Sequence, residues 1–164
     1  MLHIRINLLF SYSLWLKRYT RFTTATTITL PTKLYLLSTK KFILKKILIV
    51  EDSSLLRDNL KKMIYSIPDL LLVGEAYDYS GAVKINNEQK PDIVLLDIDL
   101  KAGNGLEVLA SIKNGTTQPV VIMFTNYSES AYRKITKELG ADFFFDKSDD
   151  ISGLIESLRV LCAE

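Results

Sequence analysis

Four apolar runs in this chain of 164 residues each end in side chains able to do chemistry. Ile47-Leu48-Ile49-Val50 runs into Glu51-Asp52, and Asp92-Ile93-Val94-Leu95-Leu96 runs into Asp97. Val120-Val121-Ile122-Met123-Phe124 leads to Thr125, and Phe143-Phe144-Phe145 leads to Asp146-Lys147. As strands of one sheet, these runs would bring the carboxylates of Glu51, Asp52 and Asp97, the Thr125 hydroxyl and the Lys147 amine to one edge. Crowded carboxylates repel, and they stay ionised only beside a compensating cation. An all-oxygen set suits a hard divalent ion, and Mg2+ commonly takes one or two carboxylates with waters and phosphate oxygens. Add Lys147 as a fixed positive charge and one carboxylate as nucleophile, and the set fits phosphoryl transfer. Asp97 is the candidate nucleophile, because it ends a buried strand where open α/β sheets place their ligand crevice.

Each residue alone has a plainer role: Asp97 as a cap, Lys147 as a solvated loop residue, Thr125 as an ordinary strand former. Their joint placement at separate strand ends outweighs those readings.

The intervening segments supply the elements that must hold these ends together. From Lys45 onward, short apolar runs alternate with helical patterns, which argues for β/α units and a parallel sheet. Ser53-Ser54 are capping residues for a helix whose apolar positions are Leu55, Leu56, Leu60, Met63 and Ile64. Pro68 closes it, Leu70–Ala76 reads as a second strand, and a helix near 79–89 ends before Pro91. The third strand spans about 92–97, followed by a polar turn with Gly103 and Gly105 and a helix bearing Leu106, Leu109 and Ile112. After the fourth strand, Ala131, Ile135 and Leu139 mark the buried stripe of the next helix, with Gly140 as its C-cap. A fifth strand near 142–146 and a helix carrying Ile151, Leu154, Ile155, Leu158 and Leu161 complete five repeats, whose right-handed crossovers put helices on both faces.

Charge divides the chain. Residues 1–50 hold nine Lys or Arg and no acid, whereas residues 51–164 hold all 19 acids against 12 bases, a net −7. The overall +2 therefore describes neither part and supports no nucleic-acid inference. One cysteine, Cys162, excludes an internal disulfide and a cysteine metal cluster, and it reads as a small packed hydrophobe. The single histidine, His3, lies outside the globular part, which excludes a Ser-His-Asp triad or a histidine metal site there. Residues 1–44 form a basic extension broken by Arg5, Lys17, Arg18 and Arg21, too interrupted for a membrane span of roughly 20 apolar residues. The extension reads as a poorly ordered tail or translated upstream sequence, with Leu44 where an initiator would be expected. Its aromatics among bases also fit an arm for nucleic acid or anionic membrane, and its acid-free composition loosely resembles an organellar transit peptide.

Over about residues 45–162, the four motifs and their order resemble the receiver domain of bacterial two-component response regulators. Ile47-Leu48-Ile49-Val50-Glu51-Asp52 resembles the family's first strand with its acidic pair, and Pro91 to Asp97 resembles the phosphoacceptor strand. Phe124-Thr125-Asn126 matches the switch hydroxyl, and Gly140 to Lys147 matches the final motif. The resemblance implies a flavodoxin-like fold over 45–164: a five-stranded parallel sheet in the order 2-1-3-4-5. It implies that Asp97 accepts a phosphoryl group from a histidine kinase or histidine phosphotransfer protein. Asp52 and Asp97, the backbone carbonyl of Asp99, and Glu51 through water would hold Mg2+. Lys147 would pair with phosphoryl oxygens, Thr125 would move toward them, and Phe144 would turn inward behind it. The readout surface, for a downstream protein or a second copy, would lie over about 128–162. The implied location is the cytoplasm, and with the chain stopping just after the fifth helix no DNA-binding domain is expected in it.

Three positions depart from the family pattern. Lys101 and Ser148 stand where proline is usual, and a cis peptide before Ser148 would cost roughly 3–4 kcal/mol. Asp99 puts an acid two residues beyond Asp97, a position that in the family influences phosphoryl lifetime. A rival reading takes Asp97-Ile98-Asp99 as the nucleophile and general acid of a haloacid-dehalogenase-like phosphatase, with Lys147 and Asp149 or Asp150 completing its site. That reading leaves Glu51-Asp52 without a task.

Overall fold

The computed structural model describes residues 44–127 and 129–163; the expectations for residues 1–43 lie outside them. Five strands form one parallel sheet: β1 (Lys45–Val50), β2 (Leu70–Ala76), β3 (Ile93–Leu96), β4 (Val120–Thr125) and β5 (Phe143–Asp146). They are ordered β2-β1-β3-β4-β5, the order that the family resemblance implied. Between and after them come α1 (Ser54–Ser66), α2 (Tyr79–Gln89), α3 (Gly105–Lys113), α4 (Ser130–Glu138) and α5 (Ile151–Ala163).

Because alternate residues of a strand face opposite ways, each strand feeds two cores. Leu48, Val50, Val94, Leu96, Val121 and Met123 pack against Ala82, Val108, Leu109 and Ile112, which places α2 and α3 on one face with Tyr132 of α4. Ile47, Ile49, Ile93, Leu95, Ile122 and Phe124 pack against Leu60, Ile64, Leu154 and Leu158, which places α1 and α5 on the other. β1 and β3 are buried along both faces, hence their unbroken apolar composition. Each such fully buried aliphatic side chain contributes roughly 1.5–3 kcal/mol of transfer free energy.

Local chemistry bounds the helices, at Ser53 and Gly140 as the sequence implied. The Ser53 side chain accepts from the Leu56 N–H at the start of α1, Asp78 from Gly81 at α2, and Asn104 from Leu106 at α3. Gly140, with φ of 95°, follows α4 in the left-handed conformation that suits glycine.

Three helical stripes differ from expectation; in α5 it is Ile151, which is 50% exposed while Leu154 and Leu158 are buried. In α4 the expected Ala131 and Ile135 are exposed, Ile135 by 40%, whereas Thr136 is 1% exposed and Tyr132 and Leu139 are half-buried. Thr136 tolerates burial because its hydroxyl donates to the Tyr132 carbonyl at 2.8 Å, so the polar group stays bonded. In α1 Leu55 points outward at 72% exposure, leaving Leu60 and Ile64 as the buried positions.

The turn from β3 into α3 leaves no space at Gly105. A Cβ there would lie 1.9 Å from the Asp97 carbonyl oxygen and 2.8 Å from the Ile98 Cα. Backbone cannot yield as a side chain does, so Gly105→Ala is expected to cost about 3 kcal/mol. A urea midpoint equal to the parent's would refute that expectation.

Candidate functional site

The carboxyl ends of β1, β3, β4 and β5 open on a cleft of about 380 Å³. Glu51, Asp52, Asp97, Asp99, Thr125 and Lys147 all line it, so six of the seven expected residues meet in one place. Phe144 lies outside that lining, half-buried on β5 against the α2–α3 core.

Lys147 organises the centre. Its Nζ donates to Asp97 Oδ2 at 2.5 Å and to Glu51 Oε2 at 2.7 Å. Both acids are nearly enclosed, Glu51 at 3% and Asp97 at 5% exposure. Two carboxylates in so dry a place are tolerable because one ammonium lies between them. Burial pushes the Glu51 carboxyl above its ordinary range, against the hydrogen bond from Lys147 that lowers it. The other Glu51 oxygen accepts the Ser53 N–H at 3.0 Å, and the Glu51 carbonyl accepts from Arg57 at 2.6 Å. Arg57 also lies 3.6 Å from Glu75 on β2, so it ties the β1–α1 loop to the sheet edge.

Thr125 is fully buried, and its Oγ1 accepts the Tyr127 N–H at 3.3 Å. Asp99 is exposed at the rim, where its charge is the main influence raising the Tyr127 phenol above the usual range. The loop bearing Asp99 lacks the family's proline at Lys101 but is held by other means. The Gly105 N–H donates to the Ile98 carbonyl at 2.9 Å, Tyr79 N–H reaches the Ala102 carbonyl at 3.4 Å, and Asp99 bridges to Asn104. After β5, the described residues contain no cis peptide, and Ser148 donates its N–H to Asp146 Oδ1 at 2.8 Å.

The residues fit a divalent cation in one specific respect. Asp97 Oδ1 is a buried carboxylate oxygen with no hydrogen-bond partner, and leaving such a group unsatisfied is costly. Among the described residues, no three acidic, His or Cys side chains converge as a ready metal cluster; Glu51 is already occupied by Lys147 and Ser53. Mg2+ needs only one or two carboxylates beside water and carbonyl oxygens, which Asp97 Oδ1 and the neighbouring Asp52 can supply.

Sequence reasoning did not find Arg57, Ser53 or Tyr127. Ser53 was visible as a cap, but its N–H acts on Glu51. Nothing in the local pattern of α1 marks Arg57 as a support for the acidic loop.

A doubly wound sheet in this order, with acids, a hydroxyl and a lysine at its carboxyl edge, is of the flavodoxin-like class. A family model of the response regulator receiver domain matches residues 47–159, and the chain belongs to that family. It is 33% identical over 121 residues to a protein-glutamate methylesterase/protein-glutamine glutaminase of Halalkalibacterium halodurans, covering 73% of this chain and 35% of that protein. It is 31% identical over 115 residues to the transcriptional regulatory protein YdfI of Bacillus subtilis, covering 70% of this chain and 54% of the relative. The response regulator domain of Thermotoga maritima CheB matches with a TM-score of 0.65 and 30% identity, covering 73% of this chain and 94% of that one. The chain thus spans about a third to a half of the length of these two curated relatives.

Family membership assigns the chain to phosphorelay signal transduction, as a phosphoacceptor switch. The phosphatase reading finds no support among the relatives. It also left Glu51 idle, and Glu51 is a direct partner of Lys147. No helix among the described residues is long and apolar enough to cross a membrane.

Proposed function

We propose that residues 45–164 act as a receiver module in which Asp97 takes a phosphoryl group from the phosphohistidine of a kinase or phosphotransfer protein. The supporting observation is the state of Asp97: enclosed, lining the cleft, ion-paired through Oδ2 to Lys147, and with Oδ1 buried without a hydrogen-bond partner. A carboxylate oxygen of Asp97 attacks phosphorus, the new O–P bond forms as the histidine N–P bond breaks, and the leaving imidazole takes up a proton. Lys147 neutralises charge on the transferred group and, with the Thr125 hydroxyl, receives its oxygens.

Asp52, Asp97 and the Asp99 carbonyl would hold Mg2+, with Glu51 acting through water; when bound, the ion supplies further neutralisation of the phosphoryl oxygens. Any turnover belongs to Asp97 itself, as self-phosphorylation by small donors and slow autodephosphorylation, and Asp99 at the rim tunes the latter. Thr125 drawn toward the phosphoryl group and Phe144 turning inward make a two-state switch driven by a local charge event. Its output is a changed protein-binding surface over about 128–162, read in the cytoplasm by a downstream protein or a second copy.

Acetyl phosphate with Mg2+ is expected to add one phosphoryl group to the full chain, measured by intact mass. Asp97→Asn should abolish the addition. Undiminished labelling of that variant would remove Asp97 from the role.

A further inference from the structure

One cation of α4 reaches across to β5. The Arg133 guanidinium carbon lies 4.5 Å from the centroid of the Phe144 ring, a cation–π distance. Its NH1 donates to the Phe144 carbonyl oxygen at 3.4 Å, and its NH2 lies 3.9 Å from Asp150 Oδ2. Asp150 Oδ2 in turn accepts the backbone N–H of Asp146, the residue before Lys147, at 3.3 Å. Lys134, the neighbouring base, pairs at 4.0 Å with Glu138 of its own helix instead. Arg133 therefore joins three parts: α4, the Phe144 ring, and the turn that carries Lys147.

We propose that Arg133 is a positioning residue for phosphoryl transfer that acts through Phe144. The guanidinium covers the ring and holds it half-buried on the α4 side of the sheet, and it opposes the inward turn that accompanies movement of Thr125. Losing the contact should populate the turned ring before any phosphoryl group arrives, and so speed acceptance by Asp97. The inference rests on the receiver reading above and on Phe144 as the ring that moves.

The test compares the full-length parent with Arg133→Met, which keeps the aliphatic bulk, and Arg133→Lys, which keeps a cation over the ring. Three quantities are measured: the initial rate of Asp97 labelling by acetyl phosphate with Mg2+, the Phe144 ring resonances without donor, and the urea midpoint. Arg133→Met should shift the Phe144 resonances and raise the rate roughly threefold, the size expected of one exposed cation–π contact. Arg133→Lys should stay closer to the parent in both. Equal rates and unchanged resonances in Arg133→Met would overturn the inference, as would a lowered urea midpoint with neither change. Absence of labelling in the parent itself would instead overturn the receiver reading.

Discussion

Replacing Lys147 with methionine is expected to lower folding stability by about 3 kcal/mol at pH 8, because removing one partner from a buried ionic group leaves the others uncompensated. Glu51 and Asp97 both lie within 2.7 Å of this ammonium and are nearly enclosed. The loss should depend on pH in a definite direction. In the parent the Glu51 carboxyl is raised above 4.5, so the folded state binds more protons than the unfolded one from that value upward. Stability therefore falls as pH rises through the window between 4.5 and the folded value, and rises again on acidification. Without Lys147 the hydrogen bond that counters desolvation of Glu51 is gone, and the window extends to higher pH. The deficit of Lys147→Met should accordingly be greatest in mild alkali and shrink toward pH 5. Urea titrations across that range decide the matter, and a deficit that ignores pH would refute the electrostatic origin.

Mg2+ should stabilise the parent strongly and specifically. A ligand present at a hundred times its Kd and bound only by the folded chain adds about 2.7 kcal/mol. In a domain of this size that amounts to a rise in Tm of roughly 10 °C. The physical source is the unpartnered Asp97 Oδ1 together with the acids around it, which have Lys147 as their one counter-charge among the lining residues. Asp97→Asn and Asp52→Asn each remove a charge from that set and should reduce the shift to a small fraction. Chelator should reverse it, and a potassium salt at equal ionic strength should not reproduce it, since screening alone supplies no ligand. A rise in both variants equal to the parent's would show that the ion binds elsewhere.

Much of the site was legible in advance because a parallel strand buried on both faces announces itself as an unbroken apolar run. The residue that ends such a run must emerge at the sheet's edge. Glu51, Asp97 and Thr125 were placed at the cleft in this way, whereas Lys147 follows β5, an edge strand only partly buried, whose aromatic run marked it. Capping chemistry placed Ser53 and Gly140 at helix ends. The α4 stripe was misread for an equally physical reason. Periodicity ranks Ile135 above Thr136, yet a threonine that bonds its own helix backbone can be buried, and α4 turns that face to the sheet.

The sequence by itself determined the alternation of elements, the order of the motifs and the identity of the side chains at the strand ends. These follow from local period and from burial, which each segment carries within itself. Tertiary structure alone decided which groups touch. Lys147 meets Glu51 across 96 positions and Asp97 across 50, and Arg133 meets Phe144 across 11. Such contacts arise where crossovers return the chain to one edge of the sheet, and no local period records where a long side chain will find its partner.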